Sequence, residues 1–288
     1  MQKFTLDEQH LIKKGGTRQI QLVDLIDTAL NDNQFNDNFI IGTIPGVGKT
    51  YTMSQALKTL PKDKIPLLIE GSAGLTMFTI EVATAVYLSG GKPIVVVLDD
   101  CDVLFEDKSL NTAKKMFDDT RELKYNKMAK GLKHFCSELQ WEAIESFSSE
   151  ESAGFSVDLS NVTFIILSNR QLADANLADE QKEGTPQYAR FMDQYAIRRR
   201  TQYEHMNMTN EELWGYAAHI TLNGNICEVL YPEITLEEKH DMLHFCRANW
   251  SNMTERNLSI IEKMTKILVR YPDTARDMWI NKFVRVQL

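Results

Sequence analysis

Apolar residues along this chain follow two rhythms, and the change comes near residue 209. Short runs that stay apolar stand at 39–41 (FII), 65–69 (IPLLI), 94–98 (IVVVL) and 162–167 (VTFIIL). Runs without alternation suit strands buried on both faces, the arrangement of a parallel sheet sandwiched by helices. Between them, Ile20, Leu22, Val23, Leu25, Ile26 and Leu30 are spaced for a helix over 18–31, and 50–57 and 75–88 also read as helices. The chain is therefore expected to be α/β through about residue 205. From Thr209 the rhythm is helical throughout, in segments 209–220, 235–250, 253–271 and 272–286, three of them opening on Thr or Pro followed by acidic residues. This predicts an α/β domain over 1–207 and a small all-helical domain over 208–288. The polar stretch 107–157, with its Ser/Glu-rich SFSSEESAG and weak periodicity, reads as an insertion or mobile surface element.

The first strand and the helix after it are joined by Thr43-Ile44-Pro45-Gly46-Val47-Gly48-Lys49-Thr50. A glycine-rich turn between strand and helix aims successive N–H groups at phosphate oxygens, where the helix N-terminus adds partial positive charge. The stretch matches the P-loop pattern G-x-x-x-x-G-K-[ST] except that Thr43 stands in place of the first glycine. Lys49 is expected to reach the β/γ-phosphates and the Thr50 hydroxyl to help hold Mg²⁺, with Thr43, Pro45, Gly46, Val47, Gly48, Lys49, Thr50 and Tyr51 forming the nucleotide contact.

Such a loop needs a carboxylate at the end of a neighbouring buried strand. The run 94–98 supplies Asp99, a candidate for Mg²⁺, and Asp100, a candidate for activating water, with Asp102 behind them. A third apolar strand ends in Ser168-Asn169, where the Asn169 amide is placed to position water.

Bulk composition narrows the picture little. At 288 residues, 43% hydrophobic and 25% charged, the chain is of ordinary globular make-up. A net charge of -8 confines any nucleic-acid contact to a local basic surface. Cys101, Cys136, Cys227 and Cys246 lack ligand spacing and read as buried thiols. No apolar run is long enough for a membrane span or signal peptide, so a cytoplasmic location is expected.

The loop, the acidic strand end, the polar strand end and the helical tail, in that order, resemble the AAA+ ATPases over nearly the whole chain, and the segment LDDCDVLF followed by LNTAKKMFDD is similar to members encoded by bacteriophages. The resemblance implies Mg-ATP as cofactor, Asp99 and Asp100 as Walker B, Asn169 as sensor 1, residues 209–288 as a lid, and a homo-oligomeric ring, usually a hexamer. It implies an arginine completing a neighbour's site, which Arg199 or Arg200 of the Arg198-Arg199-Arg200 run would supply. It implies a lid arginine at the γ-phosphate, Arg256 or alternatively Arg276. Asp100 stands where the family has glutamate, so the base is one methylene shorter and slow basal hydrolysis is expected. Members that thread polymers grip them through a loop placed like Gly71–Phe78, with Leu75, Met77 and Phe78 as the apolar contacts. A nucleic-acid surface is the other option, from Lys114, Lys115, Arg121, Lys124, Lys127, Lys130 and Lys133 with Tyr125 and Phe135. A protein remodeller, a DNA-replication or recombination loader, and a nucleotide-dependent assembly switch all fit this sequence.

Overall fold

The computed structural model describes residues 3–31, 38–71, 74–106, 109–125, 129–148, 154–169, 172 and 185–285. The apolar runs become β1 (Phe39–Thr43), β2 (Ile65–Glu70), β3 (Ile94–Asp99) and β6 (Val162–Ser168), which β7 (Gln202–Met206) joins in a five-stranded sheet ordered β2-β3-β6-β1-β7. Every neighbouring pair is parallel. β1 and β3 are buried at every position, as their unbroken apolar sequences require. Strand β7 (QYEHM) has no apolar run because it is an edge strand with half-buried and exposed positions alternating.

Asn38 fixes the register at the amino end of β1. It is buried, its side-chain oxygen accepts the Phe164 N–H at 3.1 Å, and its carbonyl accepts the Gln202 N–H at 2.7 Å. One residue thus ties β1 to both neighbours, since a buried amide left unpaired would cost about 1–3 kcal/mol.

The chain separates into two units. One comprises Leu25–Thr43 and Met53–Met206, the other Met1–Asp24, Ile44–Thr52 and Asn207–Leu288. In the sheet-containing unit lie α3 (Leu75–Ser89), α4 (Leu110–Phe117), α5 (Glu138–Phe147) and α6 (Pro186–Arg198). The stretch 107–157, expected as an insertion or mobile element, is folded wherever it is described: α4, a ladder of β4 (Glu122–Tyr125) antiparallel to β5 (Phe155–Asp158), and α5. Leu110, Met116, Leu123, Ile144, Phe155 and Val157 are buried in the same core as β3 and β6. Short elements with one inward residue in two or three leave little periodicity, which is why this packing is hard to read from sequence.

The second unit contains α7 (Asn210–Asn223), α8 (Leu236–Asn249), α9 (Leu258–Arg270) and α10 (Ala275–Phe283). Thr209 and Thr235 each close a capping box with the glutamate three residues on, and Asn257 caps α9. The expected helix at 18–31 is the second half of a longer one, α1 (Leu6–Asn31), which runs through Gly15 and Gly16. These glycines cost about 1 kcal/mol each in helix propensity. They serve a close crossing instead: a Cβ at Gly15 would lie 2.4 Å from the Gly215 carbonyl oxygen, and one at Gly215 would lie 2.2 Å from that of Leu11. The backbones of α1 and α7 touch, so the first 24 residues group with the helical tail rather than with the 1–207 domain expected above.

Gly215→Ala should lower stability. The added methyl meets a fixed carbonyl, an overpacking cost of about 1–3 kcal/mol that outweighs the ~1 kcal/mol gain in helix propensity. Thermal unfolding should show a reduced Tm, whereas Gly131→Ala, with nothing within 4 Å, should leave it unchanged.

Candidate functional site

Thr43, the departure from the loop pattern, is the buried last residue of β1, paired with Met206. An extended position suits a β-branched residue and needs no glycine. The turn itself is made by Gly46 (φ 75°) and Gly48 (φ 82°), in the left-handed region that favours glycine. α2 (Lys49–Lys58) starts immediately after, with Lys49 buried and Thr50 exposed in its first turn. Pro45 is exposed, and Tyr51 is exposed with its hydroxyl 3.5 Å from the Asn225 side-chain oxygen, at the outer limit of a hydrogen bond.

Two of the loop's carbonyls are occupied from within its own unit. The Gly46 carbonyl accepts the Leu258 N–H at 2.9 Å, and the buried Val47 carbonyl accepts the Tyr216 hydroxyl at 2.7 Å. The N–H groups of Val47 and Gly48 meet no acceptor among the described residues. Amides left open while carbonyls are tied back, at the start of a ten-residue helix, are an arrangement that suits an anion.

Arg256 immediately precedes Asn257, whose side-chain carbon stands 2.6 Å from where a Gly46 Cβ would be. Arg256 is half-buried, and no hydrogen bond or ion pair joins it to a described residue. Arg276 is exposed on α10. Of Arg256 and Arg276, the one beside the loop-contacting asparagine is Arg256.

In the sheet, Gly42 pairs with Ser168 and Leu167 with Asp99, so β1, β6 and β3 end together at one edge. Asp99 is buried as the last residue of β3. Asp100 is exposed and takes φ 49°, an uncommon conformation for a non-glycine residue. Its side-chain oxygen accepts the Asn169 amide N–H at 2.7 Å. Two candidates chosen separately from two strand ends are thus in direct contact. Asp102 begins a short 3₁₀ turn over Asp102–Phe105, and its side chain lies outside the described residues.

Arg199 and Arg200 lie at the opposite edge. They follow α6 and precede β7, whose first residue, Gln202, pairs with Phe39 at the start of β1. Both are exposed and line a cleft of about 940 Å³ that also includes Asn38, Phe117, Asp118, Arg121, Met192 and Tyr195. Arg199 stands 6.0 Å from the Tyr195 ring, and Arg200 donates to the Ala196 carbonyl at 2.8 Å. Arg198 stacks over Tyr203 at 4.7 Å, a packing role that sets it apart from its neighbours.

Other candidates are put to structural use. Phe78 is 0% exposed and packs its ring 6.3 Å from that of Phe164, so it cannot grip a polymer. Met77 remains partly exposed and Leu75 half-buried, while Ser72 and Ala73 lie outside the described residues. Of the proposed basic surface, Lys114 pairs with Asp193 and Lys124 with Glu122 at 2.8 Å. Arg121 donates to the carbonyls of Leu159 and Val162, and Lys133 sits 5.5 Å over Trp141. Phe135 and Lys115 are exposed, Tyr125 stacks on Phe155, Lys127 lies outside the described residues, and so does the Lys130 side chain. Cys101, Cys227 and Cys246 are buried and Cys136 half-buried, all as free thiols. Among the described residues no three His, Cys, Asp or Glu side chains gather as metal ligands, and no helix is long and apolar enough to cross a membrane.

No protein-family model matches the chain, and no curated protein gives a significant match.

The helix that carries Tyr216 is itself anchored. Glu212, buried at the first turn of α7, accepts the Thr209 N–H at 2.7 Å and pairs with Lys14 at 2.9 Å and Arg18 at 3.1 Å on α1. Burial pushes its carboxyl up, but the Thr209 N–H and the two cations outweigh this and hold it at about 2, below its ordinary 4.5. A carboxyl depressed on folding stabilises the protein fully above the unfolded value and loses that contribution as pH falls toward the folded one. Unfolding free energy should therefore drop by about 3 kcal/mol between pH 5 and pH 2 through this group. Denaturant titrations at several pH values should show a shallower acid slope in Glu212→Gln.

Proposed function

We propose that this chain is a P-loop ATPase of the AAA+ type, which binds Mg-ATP and couples its hydrolysis to remodelling or loading of a macromolecule as a ring of several copies. The observation that carries this reading is the loop at 43–50. Its Val47 and Gly48 amides are open at the head of α2 while its carbonyls are bonded away from the anion site. The sheet order supports it too, since β6 with Asn169 lies between the strand entering the loop and the strand ending in Asp99.

In this reading the loop amides and Lys49 bind the β- and γ-phosphates, and Arg256 reaches the γ-phosphate from the start of α9. Thr50 supplies a hydroxyl and Asp99 a carboxylate, the donor types that would hold magnesium, and the ion's contribution would be to neutralise phosphate charge. Asp100 is the water-orienting acid. Its Oδ1 accepts the Asn169 amide N–H, and the carboxylate keeps lone pairs on both oxygens to accept from water. An aspartate holds that water farther off than a glutamate would, and a misplacement of about 1 Å costs ~10²-fold in rate. Slow basal turnover follows.

Arg199 and Arg200 favour action on a second copy. They sit at the amino edge, whereas the loop leaves the carboxyl edge at Thr43, one five-residue strand away, a length of about 16 Å. Both side chains are exposed, as residues offered to a neighbouring copy would have to be.

Two measurements test this. Asp100→Asn should reduce ATP hydrolysis by at least about tenfold while leaving ATP binding intact; equal turnover would remove Asp100 from its role. Lys49→Ala and the double variant Arg199→Ala/Arg200→Ala should each lose hydrolysis, the arginines by ~10³–10⁵. Mixed in equal amounts they should recover about a quarter of wild-type activity, because in a randomly mixed ring one interface in four joins an intact loop to intact arginines. Failure to recover any would argue against completion in trans.

A further inference from the structure

We infer that Tyr216 is a positioning residue for nucleotide phosphate, acting through the peptide plane that it holds rather than by touching the ligand. The inference rests on the P-loop reading above and adds a residue that the loop sequence does not contain.

In a trans peptide the carbonyl of one residue and the N–H of the next point in opposite directions across a rigid plane. Both peptides in question are trans. The Tyr216 hydroxyl holds the Val47 carbonyl at 2.7 Å, so the Gly48 N–H is fixed facing away from α7. One residue earlier, the Leu258 N–H holds the Gly46 carbonyl at 2.9 Å and fixes the Val47 N–H in the same manner. Neither of these amides meets an acceptor among the described residues. At Gly48, a glycine with φ 82°, the plane would otherwise be free to flip, because no Cβ opposes the rotation. The two hydrogen bonds do what sterics cannot do at a glycine: they choose one orientation of the donor.

Tyr216 is built for this. It is 2% exposed, its ring fills space inside the unit, and burial pushes its hydroxyl well above the ordinary tyrosine value, so it stays a neutral donor at any working pH. Its helix is held by the Gly15–Gly215 backbone crossing and by Glu212 with Lys14 and Arg18. The donor is thereby fixed to α1 as well as α7, and the N-terminal helix sets the orientation of a phosphate-binding amide without contacting phosphate.

The experiment compares ADP and adenosine binding by calorimetry in wild type, Lys49→Ala, Tyr216→Phe, Leu258→Pro and Leu258→Ala. Tyr216→Phe keeps the ring and removes only the hydroxyl. Leu258→Pro removes the second N–H at the first position of α9, where proline is tolerated, after an Asn257 already extended at φ -155°. Leu258→Ala controls for the lost side chain. ADP affinity should fall about fivefold in Tyr216→Phe, the value of one hydrogen bond, with adenosine affinity unchanged. Leu258→Pro should lose a similar factor relative to Leu258→Ala, which tests the same principle if the tyrosine variant does not fold. An ADP-to-adenosine ratio equal to wild type in both Tyr216→Phe and Leu258→Pro overturns the inference while the P-loop reading stands. If wild type does not prefer ADP over adenosine, or Lys49→Ala keeps that preference, the P-loop reading fails and the inference falls with it.

Discussion

All five strands of the sheet run in one direction, so their carboxyl ends share one edge and their amino ends the other, and the placement of nearly every candidate residue follows from this. Asn38 enforces it at the starting edge by bonding β6 and β7 to β1 at once. β1 begins opposite Ile165, three residues into β6, and the strands finish one residue apart: Asp99 pairs with Leu167, Ser168 with Gly42, and Thr43 follows. The residues that follow β3 and β6 then emerge together: Asp100 and Asn169, in direct contact. The same constraint sends the residues that precede strands to the far edge, which is where Arg199 and Arg200 stand.

What was legible in the sequence is what depends on local pattern. β1, β3 and β6 were visible because buried parallel strands need unbroken apolar runs, and α7 and α8 because Thr209 and Thr235 cap them with a glutamate in the third position. The loop was visible because glycine at Gly46 and Gly48 and the basic residue after them are required together. Strand β7 was missed because an edge strand presents too few apolar residues to be told from a loop. The packing of α4, β4, α5 and β5 was missed for a related reason, since each contributes only a few inward side chains. Phe78 left two readings open, a polymer-gripping contact or the start of a core helix, and it is a core residue.

The residues that frame the loop could not be found by pattern at all. Tyr216 lies 169 positions from the carbonyl it bonds, and nothing in its own helix marks it as other than one more buried aromatic. Gly15 and Gly16 lie in the first half of α1, ahead of the 18–31 stretch that apolar spacing marks as helical. Here they are the condition for α1 and α7 to approach until backbone meets backbone, which a Cβ at 2.4 Å from a carbonyl would forbid. Close approach in turn puts Lys14 and Arg18 within reach of Glu212, buried at the start of α7. A cost in helix propensity on α1 is therefore offset by contacts on α7, and only the three-dimensional arrangement connects the two.

Asp100 shows the same trade at a single residue. A left-handed backbone at a non-glycine position costs roughly 1 kcal/mol or more and persists only where its surroundings impose it. The imposing contacts are the Asp100 N–H to the Leu167 carbonyl at 3.3 Å and the Asn169 amide to the carboxylate at 2.7 Å, both directed at the end of β6. The strain therefore turns the chain sideways, toward the neighbouring strand that carries the amide, where continued extension would send it onward from β3. For a carboxylate one methylene shorter than glutamate, the backbone turn and the amide fix direction where side-chain length cannot supply reach. On the proposed reading, hydrolysis is then limited by distance and not by disorder of the base, because the amide that aims Asp100 takes only one of the carboxylate's four lone pairs.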